Sequence, residues 1–237
     1  MCGRFTLTVA RIEAVAAAFD AALDPADAAA YRPRYNVAPG DQHWIVRLAA
    51  GEVRRTLSPA GWGLVNHWAP DASRAFQQIN ARAETLAQRR AYREALKTRR
   101  CVVPTDGFYE WYGPPGARRP MWLHPRAGEL LALAGLYEHW TNPKTGEVRT
   151  TFTVVTTPAN ALVAPIHDRM PAVLAAAEIE PWLSRGDRRV LHAAPEDALV
   201  ATRVSRRVNS ARNDDPSLLE PEREEDRGGQ QRLFGGS

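Results

Sequence analysis

The sequence predicts an α+β fold in one domain, with a mainly antiparallel sheet and helices at its edges. Three observations carry this expectation. Strand-like segments fill the middle of the chain, helical periodicity is confined to its flanks, and Gly and Pro punctuate the strands. The 237 residues, 44% hydrophobic and 24% charged, suffice for one buried core.

The elements follow in order. Thr8 is placed to cap a helix running to about Leu23, because Ile12, Val15 and Phe19 recur at three and four residues and Pro25 lies just beyond. His43 to Leu48 and Val53 to Leu57 are apolar or alternating runs around Ala50-Gly51, which predicts a hairpin. A second helix is expected from about Glu84 to Leu96. Strands are expected at Cys101 to Pro104, Phe108 to Trp111, Met121 to His124, Leu130 to Leu136 and Arg149 to Thr156. Short helices around Pro158 to Val163 and Ala175 to Leu183 come last. The domain is expected to span 1–220, and 221–237 reads as a disordered acidic tail containing Gly and Gln.

Composition excludes several classes. No run approaches the roughly 18 apolar residues of a membrane span, and no apolar stretch follows a basic start at Met1-Cys2-Gly3-Arg4-Phe5, so neither a span nor a secretory signal is expected. With only Cys2 and Cys101, the chain builds neither a disulfide framework nor an all-thiolate zinc site, and the six histidines show no metal-ligand spacing. No metal and no cofactor is expected, and the compartment reads as cytoplasmic. The net charge of +4 hides an asymmetry: the segment from Glu220 carries −2, which leaves +6 on the body. A basic body suits a polyanion, although 29 arginines among many alanines also reflect a composition bias.

Cys2 is the first candidate for chemistry. A Met before a small residue is normally trimmed in the cell, which leaves Cys2 with a free α-amine and a thiol. These titrate near about 7.8 and about 8.5, so both are partly nucleophilic at neutral pH. An aldehyde captured by the amine as a Schiff base is then within reach of the thiol, which closes a five-membered thiazolidine. Read alone, Cys2 is a small residue in a frayed terminus, and Cys101, in the apolar run Cys101-Val102-Val103, is a buried strand residue.

The surrounding segments decide between these readings. Met1-Cys2-Gly3-Arg4-Phe5, Ile79-Asn80-Ala81-Arg82-Ala83-Glu84, Asp106-Gly107-Phe108-Tyr109-Glu110-Trp111 and Ile166-His167-Asp168-Arg169-Met170-Pro171 occur in that order. Between the first two lie Tyr35-Asn36-Val37-Ala38-Pro39-Gly40 and Gly61-Trp62-Gly63-Leu64. Together, from Cys2 to about Pro221, these resemble the SRAP family, the SOS-response-associated peptidase-like proteins. The resemblance implies a barrel-like antiparallel sheet with a basic groove. It also implies recognition of abasic sites in single-stranded DNA, with covalent capture of the abasic aldehyde by the N-terminal Cys. A soluble monomer is implied, bound to the nucleoid when on DNA, with replication-fork proteins as candidate partners.

It further implies roles for individual residues. Cys2, Asn80, Glu110 and His167 form the catalytic set: His167 opens the closed sugar, Glu110 moves protons at the Schiff-base and ring-closing steps, and Asn80 positions Cys2 and the sugar. The residue chemistry agrees, since an unperturbed His titrates near about 6.5 and an aromatic surround raises a carboxyl. Arg4, Arg82 and Arg169 are expected to hold phosphates, Trp68 and Pro39 to stack on flanking bases, and Thr157 to line the site. The chain departs from the family at Asn66-His67-Trp68, where relatives often carry a proline and a further tryptophan. The family name also implies removal of Met1 by the protein itself, and an exposed Schiff base implies some lyase activity. Two other readings remain at this stage: a cysteine peptidase or hydrolase using Cys2 and His167, and a non-catalytic single-strand-binding module.

Overall fold

The computed structural model describes residues 2–48, 53–114 and 116–222. The chain opens with β1 (Phe5–Leu7), α1 (Ile12–Ala18), β2 (Ala21–Leu23), α2 (Pro25–Ala29) and β3 (Arg34–Val37). The first helix is shorter than expected. Asp20, at φ 47, leaves the helical region and turns the chain into β2, so Leu23 is a strand residue. Thr8 caps nothing, because its hydroxyl and backbone N–H both donate to the Asp106 carboxylate. Pro25, expected as a stop, is the first residue of α2, where the Asp24 carboxylate accepts from the Ala26 N–H at 2.7 Å.

The expected hairpin is present as β4 (Gln42–Leu48) and β5 (Arg55–Trp62), paired antiparallel from Gln42 opposite Gly61 to Leu48 opposite Arg55. Val53, placed in the second strand by the sequence, is 97% exposed and precedes it, while Ala50 and Gly51 lie outside the described residues. After β6 (Asn80–Arg82) comes a single 3-10 turn at Ala83–Thr85, so the second helix, α3 (Arg90–Thr98), starts later than expected. The expected strands from Cys101 to Thr156 all form: β7 (Arg100–Thr105), β8 (Gly107–Tyr112), β9 (Arg119–Pro125), β10 (Leu131–Thr141) and β11 (Val148–Pro158). No helix follows at Pro158 to Val163. Asn160 instead holds a turn, its side-chain oxygen accepting from the Val163 N–H at 3.0 Å. The chain continues through β12 (Arg169–Pro171), β13 (Val173–Leu174), α4 (Ala176–Glu180) with a π turn over Pro181–Arg185, and β14 (Leu199–Arg203). The body passes the expected boundary, because Pro221 pairs with Val204 and the Glu222 N–H donates to the Arg203 carbonyl at 2.9 Å. The rest of the expected tail, 223–237, lies outside the described residues.

Strand pairing closes a barrel. β11, β10, β7, β4 and β5 follow one another antiparallel, and a short parallel contact of Thr151 and Phe152 on β11 with Gly61 and Trp62 on β5 joins the ends. Alternation along these strands splits the apolar residues into two clusters. Ile45, Trp62, Cys101, Val103, Leu133, Phe152 and Val154 belong to one, while Val46, Leu57, Val102, Ala134, Leu136 and Val155 belong to the other with α1, α3 and the π turn. A second sheet, ordered β14-β9-β8-β1-β3, adds Phe5, Phe108 and Leu123 to the first cluster. Each large side chain buried there contributes about 2–3 kcal/mol. The fold is therefore α+β with a barrel and peripheral helices, as expected. Among the described residues, no helix is long and apolar enough to cross a membrane.

Candidate active site

The site forms where the two sheets meet. Thr156, near the end of β11, pairs with Arg82 of β6 on one edge and Pro171 of β12 on the other. This fork sets Asn80 and Arg82 to one side of Thr157, and Arg169 to the other. β1 faces it from the second sheet, with Phe5 opposite Phe108 and the Tyr109 N–H donating to the Arg4 carbonyl at 2.9 Å. Residues two apart share a strand face, so Glu110 lies on the inner face with Phe108.

Cys2 is fully buried in the cluster that contains Phe5, Phe108 and Met170. Its carbonyl accepts from Asn80 Nδ2 at 2.7 Å, and its thiol faces the Arg4 carbonyl at 3.8 Å. Asn80 is held in turn by Tyr92 of α3, whose hydroxyl donates to the Asn80 carbonyl at 3.2 Å. Asn80 Oδ1 is buried and has no donor among the described residues. Burial pushes the Cys2 thiol pKa up, and the negative charge of Glu110 adds to the shift.

Glu110 is 2% exposed, and burial, helped by the Asp168 charge, lifts the carboxyl from 4.5 to about 7. His167 moves the other way. Partial burial lowers its pKa, opposed by neighbouring Asp168. In the neutral ring Nδ1 accepts the Arg169 N–H at 3.0 Å, which leaves the proton on Nε2; in the charged ring Nδ1 donates to Asp168 at 2.9 Å.

The binding candidates divide into two groups. Arg82 and Trp68 are exposed, and Pro39 is half-buried beside Gly40, which packs against Phe76. Arg90 lies over the Trp68 ring at 4.5 Å. Arg4, Arg169 and Thr157 are wall residues. Arg4 donates to Asn36 Oδ1 and to the Val208 carbonyl, each at 2.9 Å. Arg169 is 9% exposed and grips Glu84 with two hydrogen bonds of 2.6 and 2.9 Å, while Thr157 is buried opposite Met170. Of the residues the sequence reading passed over, Glu84 stood inside a quoted segment beside arginines, and an acid there signals an ion pair. Phe76 and Tyr92 carried no such signal.

Comparisons with known proteins give the family. A family model described as SOS response associated peptidase (SRAP) matches residues 1–211. The chain belongs to the SRAP family. Its relatives include the abasic site processing protein YoqW of Bacillus subtilis, 37% identical over 93% of the SRAP chain described here and 99% of the relative. The abasic site processing protein HMCES of Gallus gallus is 34% identical, covering 81% of this chain and 67% of its own. A solved structure of a protein from Bacteroides thetaiotaomicron matches at a TM-score of 0.82 and 23% identity, over 93% of this chain and 100% of the other, so the two share a fold.

Proposed function

We propose that this SRAP chain processes abasic sites in single-stranded DNA by forming a thiazolidine between Cys2 and the abasic aldehyde, which shields the lesion. The observation that carries the reading is the buried Cys2 tied to Asn80 beside a carboxyl that titrates near neutrality. The relatives' names, abasic site processing proteins, support the abasic site as the target.

The chemistry starts from Cys2 freed of Met1. Charged His167 gives its Nε2 proton to the sugar ring oxygen as the anomeric hydroxyl passes its proton to water; the ring opens to the aldehyde, and that water returns the proton to His167. The Cys2 amine adds to the carbonyl carbon, giving a carbinolamine. Glu110, as the neutral acid, protonates the departing hydroxyl, and water leaves as the imine forms. Asn80 Oδ1 is an acceptor available to the amine or the hydroxyl. The thiol then adds to the imine carbon, and its proton passes through Glu110 to nitrogen. In sum, amine, thiol and aldehyde give thiazolidine and one water. Rapid sulfur capture also limits strand cleavage by β-elimination from the imine, the lyase path. Arg82, Trp68 and Pro39 meet the flanking nucleotides, while Arg4, Thr157 and Arg169 shape the wall behind the sugar. This work belongs in the cytoplasm, on the nucleoid.

Two pKa directions argue against a cysteine hydrolase. Such an enzyme needs a thiolate beside an imidazolium, whereas burial raises the thiol and lowers His167.

Mass spectrometry of the purified protein, alone and after incubation with an abasic oligonucleotide, tests the reading. The expected masses are the chain without Met1, and that chain plus the oligonucleotide less one water. Cys2→Ala is expected to abolish the adduct and to keep non-covalent binding. An adduct in undiminished yield from Cys2→Ala would overturn the proposal.

A further inference from the structure

Most of the arginines around the site are already engaged by other groups. Arg4 binds Asn36 and Val208, Arg34 binds Asp41 and Asp214, and Arg169 binds Glu84. Arg118 differs. It is exposed, and its guanidinium makes no ion pair or hydrogen bond among the described residues. Backbone geometry puts it there. The chain reverses between β8 and β9 through Gly113 at φ +105 and Gly116 at φ +83, values that residues with a Cβ rarely adopt. Tyr112 pairs with Arg119, so Arg118 returns alongside Gly113, its Cα 3.9 Å from where a Gly113 Cβ would stand.

Arg118, Trp111, Gly116 and Asn209 line an open cleft of about 460 Å³. Its base is rigid, because Trp111 Nε1 donates to Asn209 Oδ1 at 2.7 Å and Arg4 lies over the Trp111 ring at 6.0 Å. The Arg118 charge is also felt at the site, where it lowers both Glu110 and His167. On the barrel side, exposed Arg82 stands two residues beyond Asn80, which holds the Cys2 carbonyl. A strand whose abasic sugar meets Cys2 therefore runs between two cations, one on each sheet.

Resting on the function proposed above, we infer that Arg118 binds the phosphodiester adjoining the reacting sugar, with the cleft receiving that nucleotide. The ligand is an anion of fixed spacing from the aldehyde, so Arg118 selects an abasic site within a strand over a free aldehyde sugar. A guanidinium suits this ligand, since it forks onto two phosphate oxygens and stays charged.

The test is a cycle between the side chain and the phosphate. Adduct formation is measured for wild type, Arg118→Ala and Arg118→Lys on two abasic oligonucleotides. One is unmodified, and the other carries neutral methylphosphonates flanking the lesion. On the unmodified strand Arg118→Ala is expected to raise the half-saturating concentration about tenfold and to lower the log–log salt slope by about 0.7, with part of both recovered in Arg118→Lys. On the methylphosphonate strand the Ala substitution is expected to cost less than twofold. An equal loss on both strands, or an Arg118→Ala protein with wild-type half-saturation and salt slope, overturns the inference. So does an equal loss accompanied by a shifted pH profile, which would make Arg118 an electrostatic partner of Glu110 alone. If wild type forms no adduct with either strand, the function proposed above fails, and this inference fails with it.

Discussion

Glu110 shows how burying one titratable residue ties stability to pH. In the unfolded chain it ionises near 4.5, and in the folded chain near 7. Below pH 4 both states keep the proton and burial costs nothing. Between the two values the unfolded chain has released a proton that the folded chain retains, so stability falls as pH rises and levels off above 7, about 3 kcal/mol lower. Glu110→Gln removes that slope. Thermal melts are expected to show the variant above wild type at pH 8 and level with it at pH 4. Its adduct is expected to form about 100-fold more slowly, and the decline in rate above pH 7 expected of wild type is expected to be absent. At this scale the sequence was informative where chemistry is local: Cys2, Asn80, Glu110 and His167 sit in short segments of distinctive composition. It was silent on commitment. Nothing in Arg4 or Arg169 as letters reveals that Asn36, Val208 and Glu84 already hold their guanidiniums, or that Arg118 is left over.

Among the elements, α3 and the π turn over Pro181–Arg185 depend on one buried side chain. Arg100 is 7% exposed and has no acidic partner among the described residues. It donates to the carbonyls of Leu96 and Lys97 at the end of α3, and to those of Trp182, Leu183 and Ser184 at the π turn. Its charge sits at the negative ends of both helices and satisfies their last carbonyls. Arg100→Met strands those acceptors and is expected to cost about 3–5 kcal/mol in urea unfolding; Arg100→Lys recovers little, because one ammonium cannot reach both helix ends. The strands were legible because their apolar runs are bounded by Gly and Pro. Helix limits were not, and the reason is physical. The apolar spacing of α1 continues into Ala21–Leu23, but the positive φ of Asp20 cuts the helix, and Pro25 serves equally as a stop or as a first helical residue.

For the whole molecule, the first strand depends on the last turns. Asp214 accepts from the backbone N–H groups of Tyr35 and Asn36 at 2.6 and 3.0 Å and pairs with Arg34, while Asn36 donates to the carbonyls of Ser210 and Asn213. Arg4 reaches Val208 across the same seam. Asp214→Asn is expected to lower stability by about 2 kcal/mol, or roughly 6 °C in a melt, and to slow adduct formation by loosening β1. These long-range contacts left no local trace in the sequence, since nothing near Tyr35 marks a partner so far along. The seam also sets a clock on biosynthesis. A ribosome adding about 5–20 residues per second needs on the order of 10–40 s to travel from Cys2 to Asp214. Through that interval Arg4 and Asn36 lack the carbonyls of Val208, Ser210 and Asn213 that hold them in the folded chain, so β1 and β3 await partners that emerge far later.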